Sequence, residues 1–561
     1  MIYNKKHWIL LGLLPLFIAC GGEGGGESDG VNLAPPSYAP KYTLTAWNDL
    51  GMHCMDGKDF SVFSILPPYN NLHAQLKYTG TVGLIDKNVT LTYESIADAN
   101  GSINTTSVTK TNFWTYAQKL FGATLAPDVG LTGNHAPSTT PTAMTFNITN
   151  QWWEADGIPL TPYNDNGTKN YYPLVKVVAR DSNGILLTST DVVLPISDEL
   201  DCKRCHASNS VAAAKPTSGW MNDANLTVEQ DFKYNILRLH DQFQPAAVST
   251  YKTQLLAKGY DYNTTGLEAT AKSGTPVLCA ACHKSNALPN VGIGFNAGIT
   301  IKAFTAAIHG RHAFVTDPVT GLQLNNSANR NSCYVCHPGS TTKCLRGAMG
   351  DAKTVSGTAK MQCQSCHGSM SDVGSLARNG WLDVPNCQAC HHDGIEETSA
   401  RNTNGTLKTW VDTRFATTPN TPAAGLSLYR FSKGHGNLQC EACHGSTHAI
   451  FPAHTADNRM SIGLQGHSGT IAECKTCHAT IPATVTGGPH GMHPVGDYWV
   501  SAHQAIARAN PAQCTVCHGA TYRGSNLSKT WTTRSFYNGA IYAKGTPVTC
   551  YDCHNGPSGG N

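Results

Sequence analysis

The stretch Cys440-Glu-Ala-Cys-His444 is one copy of a five-residue word, Cys-x-x-Cys-His, that occurs nine times between residues 202 and 554. The paired thiols are Cys202 and Cys205, Cys279 and Cys282, Cys333 and Cys336, Cys363 and Cys366, Cys387 and Cys390, Cys440 and Cys443, Cys474 and Cys477, Cys514 and Cys517, and Cys550 and Cys553. The closing histidines are His206, His283, His337, His367, His391, His444, His478, His518 and His554. Steps between successive words are irregular, from 21 residues between Cys366 and Cys387 to 74 between Cys205 and Cys279. The word therefore repeats a chemistry and not a structural unit. One Cys-x-x-Cys beside a histidine can hold zinc or exchange disulfides. Nine copies with the histidine always next to the second cysteine fit neither use.

Two thiols three residues apart can add to the two vinyl groups of one haem, while the adjacent imidazole reaches the iron. The set is thus identified as that of a multihaem c-type cytochrome, with nine covalently bound haem c and the nine motif histidines as proximal ligands. Residues 201–561 leave about 40 residues for each haem, too few for ordinary cores between them. The porphyrins are expected to supply most of the buried apolar surface, with short helices and loops wrapped around them. Candidate helices run over 228–243, 301–313 and 498–509.

Each iron also needs a second axial group. A second histidine gives an electron-transfer site; an open face permits chemistry on a small molecule. Of 24 histidines, nine close the words, and 11 others lie in the same region. The distal candidates are His240, His309, His312, His392, His435, His448, His467, His490, His493 and His503, with His454 less marked. His392 follows proximal His391 and so projects away from that haem. His435, between two glycines, and His448, three residues after Gly445, flank the sixth word. The pairs His309/His312 and His490/His493 stand three apart, which on a helix gives neighbouring directions.

Words and dispersed histidines together resemble the outer-surface multihaem cytochromes of metal-reducing bacteria, some of which polymerise into conductive filaments. The resemblance covers residues 201–561. It implies closely stacked bis-histidine haems that carry electrons to redox partner proteins or external acceptors, with self-assembly into filaments as one mode of use. The alternative is a multihaem reductase of a small oxyanion such as nitrite or tetrathionate, which requires one open haem and nearby proton donors. No Cys-x-x-Cys-Lys variant occurs.

Working outward, the N-terminal 200 residues carry no word. Residues 1–19 read as a signal peptide, with Lys5 and Lys6 before a short apolar run. Phe17-Ile-Ala-Cys20-Gly resembles a lipobox, which implies lipidation of Cys20 and an exported outer-membrane lipoprotein facing the periplasm or the cell surface. Residues 20–40 are a Gly/Ser/Pro tether. Residues 41–200 alternate apolar and polar residues in short β-branched runs, which reads as a β-sandwich-like domain preceding the cytochrome region. Within it, Met52, His53, Cys54 and Met55 gather soft ligands, with His73 further on. They admit a copper-type site near His53 and Cys54, a histidine reaching across to a haem, or a buried turn. A net charge of +3 over 561 residues gives no case for nucleic acid.

Overall fold

Period-two alternation places successive side chains on opposite faces of a strand, and the chain uses it to build two four-stranded antiparallel sheets. One sets Tyr42–Asn48, Asn70–Tyr78, Trp152–Ile158 and Thr145–Asn147 side by side. The other sets Leu186–Val193, Leu174–Asp181, Val89–Ile96 and Thr142–Ala143 in that order. Leu44, Ala46, Leu72, Ala74 and Leu76 of the first meet Leu91, Tyr93, Val175, Val177 and Ala179 of the second in one core. The computed structural model describes residues 41–378, 385, 387–392, 395–408, 432–536 and 539–557. The signal segment, Cys20 and the tether expected from the sequence lie outside the described residues.

The first sheet is covered on both faces. Thr43, Thr45, Trp47 and Gln75, which a free sheet would turn to water, are buried. Trp47 and Trp152 pack on Leu438 and Ala442 around the sixth word. The Gln75 carboxamide donates to the carbonyls of Gln151 (3.0 Å) and Asn437 (3.3 Å) and accepts from the Gln439 N–H at 2.9 Å. These bonds satisfy polar groups that burial would otherwise leave costly.

Residue 200 is not a break in packing. The sheet core continues through Leu237, Leu255, Tyr262, Leu278 and Ile293, and the parallel pairing of Val277–Leu278 with Phe63–Ser64 stitches the two segments together. The helix Val228–Phe243 begins at Thr227, whose side chain and that of Gln230 form a reciprocal cap. The helices Phe304–His312 and Asp497–Ala509 fall within the later word-bearing region. Beyond residue 301 the apolar clusters among the described residues are small, such as Ala313, Leu324, Val335 and Met370. No described helix is long and apolar enough to cross a membrane.

Arg346 ties these parts together. Its guanidinium donates to both oxygens of Asp457 (2.9 and 3.1 Å), to the Gly51 carbonyl (2.5 Å) and to the Lys343 carbonyl (2.8 Å). Both charged side chains are buried. Removing one member of such a pair leaves a buried charge without its partner, which costs about 3–5 kcal/mol. Asp457→Asn is expected to destabilise the protein by about that much, measured as a fall in its denaturant midpoint.

Candidate functional site

Each word folds as a tight turn because its backbone closes on its first cysteine. The N–H groups of His206, His283, His337, His478 and His554 donate to that cysteine's carbonyl at 2.9–3.0 Å. Cys363–His367 and Cys440–His444 form single helical turns. Side chains three apart on a turn lie on one face, so the two thiols project together. Gly368 and Gly445 end their turns at φ 80°, a left-handed geometry that glycine adopts without strain.

All nine words open onto one cavity of about 2970 Å³, lined by every motif cysteine and every motif histidine. A drug-sized ligand pocket is about 300–1,000 Å³. The lining includes eight other histidines: His240, His309, His312, His435, His448, His490, His493 and His503. Seven of them face a motif histidine ring to ring. Centroids are 6.2 Å apart for His206 and His312, 6.1 Å for His337 and His309, and 6.1 Å for His367 and His448. They are 5.7 Å apart for His444 and His490, 5.9 Å for His478 and His435, 6.3 Å for His518 and His493, and 5.5 Å for His554 and His503. The eighth, His240, has its pKa lowered by burial first and then by His283 beside it.

That spacing fits a metal held between two rings. Imidazole nitrogen binds a metal at about 2 Å, and the nitrogen is about 1 Å from its ring centre, so two rings on one metal stand about 6 Å apart. The tautomer fits as well. Nδ1–H of His309, His312 and His493 donates to the carbonyls of Thr305, Ile308 and Pro494, each at 2.8 Å. His283 and His518 do the same to Lys302 (2.8 Å) and Val548 (3.0 Å). A neutral ring that donates through Nδ1 keeps its Nε2 lone pair for a metal. Thiol pairs for two vinyl groups and imidazoles on both sides of an iron are the donor set of a haem c.

Three short segments each serve two words. Counting words in chain order, His309 and His312 face the third and first from one helix. His490 and His493 face the sixth and eighth, and His444 closes the sixth while His448 faces the fourth. Thiol–thiol proximity supplies the other links: Cys279 with Cys202, Cys333 with Cys363, Cys387 with Cys440, Cys443 with Cys477 and Cys550 with Cys514. Together these order the words as second, first, third, fourth, sixth, eighth and ninth, with the fifth and seventh flanking the sixth.

Other candidates sit elsewhere. His467 engages the Ser468 carbonyl (2.9 Å) and Glu473 (3.2 Å) and is not among the cavity-lining residues. His454 stacks on Tyr172 with centroids 3.8 Å apart. The His392 side chain lies outside the described residues. His53 is buried against Asp49 at 2.7 Å and edges onto Tyr69, and neither it, Cys54 nor His73 lines the cavity. Spacing gave no signal for Cys344, whose sulfur lies 3.8 Å from His448 Nδ1, or for Arg378, which donates to the His367 carbonyl at 2.5 Å.

Burial lowers the pKa of His206 and His337 to about 4 and that of His367 and His444 to about 3, with neighbouring imidazoles adding to the effect. Unfolded, each takes a proton near pH 6.5. Without a bound metal the folded state therefore binds fewer protons, so the contribution of these groups to stability is complete above about pH 6.5 and is lost as pH falls through 4 to 3. Compared with models of known protein families, with curated protein sequences and with solved structures, the chain gives no significant match.

Proposed function

We propose that this chain is a multihaem c-type cytochrome that conducts electrons through nine haems attached at its Cys-x-x-Cys-His words. The observation that carries the reading is the one cavity into which all nine words open, with seven further imidazoles standing 5.5–6.3 Å from seven motif imidazoles. Haem c bound there supplies one-electron chemistry at its iron. The chain's residues do the rest. Each cysteine pair fixes one group covalently, and the carbonyls that accept from Nδ1–H orient the rings and raise their basicity. No residue moves a proton in this scheme, because outer-sphere transfer needs none.

Paired imidazoles favour a conduit over a reductase, since an imidazole on each side of an iron leaves no position for an oxyanion. The path proposed follows the order of words in space, from the second and first words through the fourth and sixth to the ninth. The protein acts as an exported lipoprotein that passes electrons to a redox partner or an external acceptor, alone or assembled into filaments.

A pyridine haemochrome assay is expected to give nine haems per chain, and low-temperature EPR of the oxidised holoprotein only low-spin signals. A high-spin signal that shifts on adding nitrite would replace the conduit with the reductase. A second set of variants addresses the pairing. His309→Ala and His312→Ala are each expected to turn one haem of the nine high-spin, whereas His467→Ala leaves every haem low-spin; loss of a low-spin haem in the last variant would overturn the assignment.

A further inference from the structure

Strand register builds a second cluster of ligand-type side chains, apart from the cavity. His73 stands opposite Glu154 across the paired strands Asn70–Tyr78 and Trp152–Ile158, and Asn71 stands opposite Asp156. Glu154 and Asp156 are two apart and share a face. Ligand atoms of His73, Glu154 and Asp156 all lie within 4.8 Å of one another. They line a separate cavity of about 170 Å³ together with Asp49 and Glu441. Its wall holds four carboxylates and no lysine or arginine.

Hydrogen bonding leaves His73 incomplete. Its Nε2 meets Asp156 at 3.0 Å, while the ring is only 5% exposed and its Nδ1 is buried without a hydrogen-bond partner. The surrounding contacts are those that orient metal ligands. Trp152 Nε1 and Asn147 Nδ2 both donate to Oε2 of Glu154, at 2.6 and 2.9 Å, and Trp152 stacks on the His73 ring with centroids 4.1 Å apart. The Asp156 side chain is 46% exposed, which gives an ion a way in.

We infer that His73, Glu154 and Asp156 bind a divalent transition cation of the zinc or manganese class, with Asp49 and Glu441 completing the negative wall. One imidazole with carboxylate oxygens favours such ions over calcium, which takes oxygen ligands throughout. Glu441 lies between the two cysteines of the sixth word, so an ion here ties the sheet to that word. The site is distinct from the copper-type set at Met52, His53, Cys54 and Met55: it shares none of those residues and offers hard oxygens in place of sulfur.

The test uses the full-length holoprotein, stripped with EDTA and dialysed against zinc, manganese or calcium, with bound metal measured by mass spectrometry. One equivalent of zinc or manganese per chain is expected, with calcium held more weakly. Glu154→Gln, Asp156→Asn and His73→Gln are each expected to weaken binding at least ~10-fold while haem content and visible spectrum stay those of the parent. Because haem is counted separately, loss of the cation with haem retained bears on this site alone. Absence of stoichiometric binding, undiminished binding in variants that retain their haem, or a preference for calcium would each overturn the assignment.

Discussion

Paired imidazoles with ring centres about 6 Å apart have the separation of two rings bonded to one metal at about 2 Å each, and on our reading an iron stands between them. Seven such pairs line one cavity of about 2970 Å³. Side chains alone do not fill this space, since protein interiors pack with few voids larger than a water molecule. Beyond residue 301 the described apolar clusters are correspondingly small. The later half of the chain makes physical sense as a wrapping, and on our reading its core is the cofactor.

The two sheets supply what the wrapping lacks. Their shared apolar core extends through Ile293 and so reaches past the first two words. The far face of the first sheet then serves as a floor for the sixth. Trp47, Trp152 and Gln75 meet Leu438, Gln439 and Ala442 there. The turn after the first strand reaches further, since the Leu50 carbonyl accepts from the His448 N–H at 3.1 Å and the Gly51 carbonyl accepts from Arg346. A domain that carries no word thus holds the backbone of an imidazole facing the fourth word. This is a structural use for the Asn48–Asp56 stretch, whose soft ligands had suggested a metal: Asn48 accepts from the Leu50 N–H at 3.1 Å and shapes that turn.

Much of this was legible from residue types, because covalent chemistry needs fixed spacing. The nine thiol pairs and their histidines could be read directly, and so could the strands, whose alternation follows from the pleat. The facing histidines were legible only as a set. His467 and His435 look alike in sequence, each shortly before a word, yet His435 faces His478 and His467 binds Glu473. What separates them is Glu473, which directly precedes the seventh word and holds the His467 ring. The buried outer face of the first sheet was hidden for a similar reason. Thr43, Thr45 and Gln75 carry the polarity of solvent-facing positions, and their partners lie hundreds of residues away, as Gln439 does for Gln75. The His73 cluster is of the same kind, since the register that places Glu154 opposite His73 cannot be deduced from either strand alone.

Shared segments also explain why the words are spaced so irregularly. If each word were served by its own nearby histidine, a repeat of fixed length would suffice. Instead His309 and His312, His490 and His493, and His444 and His448 each divide between two words from within a few residues. On the helix Phe304–His312 the two side chains are about 5–6 Å apart at their Cβ atoms, and in the other two segments the pair is only three or four residues apart. The two groups they face are thus drawn close together whatever the chain does between the words. Proximity between neighbours is thereby set by a few residues of backbone, and the intervening chain varies from 21 to 74 residues. A displacement of such a segment moves the imidazoles of both neighbours together. Their relative placement is better protected than their position in the protein as a whole, which on our reading is the property that a chain of electron carriers most needs.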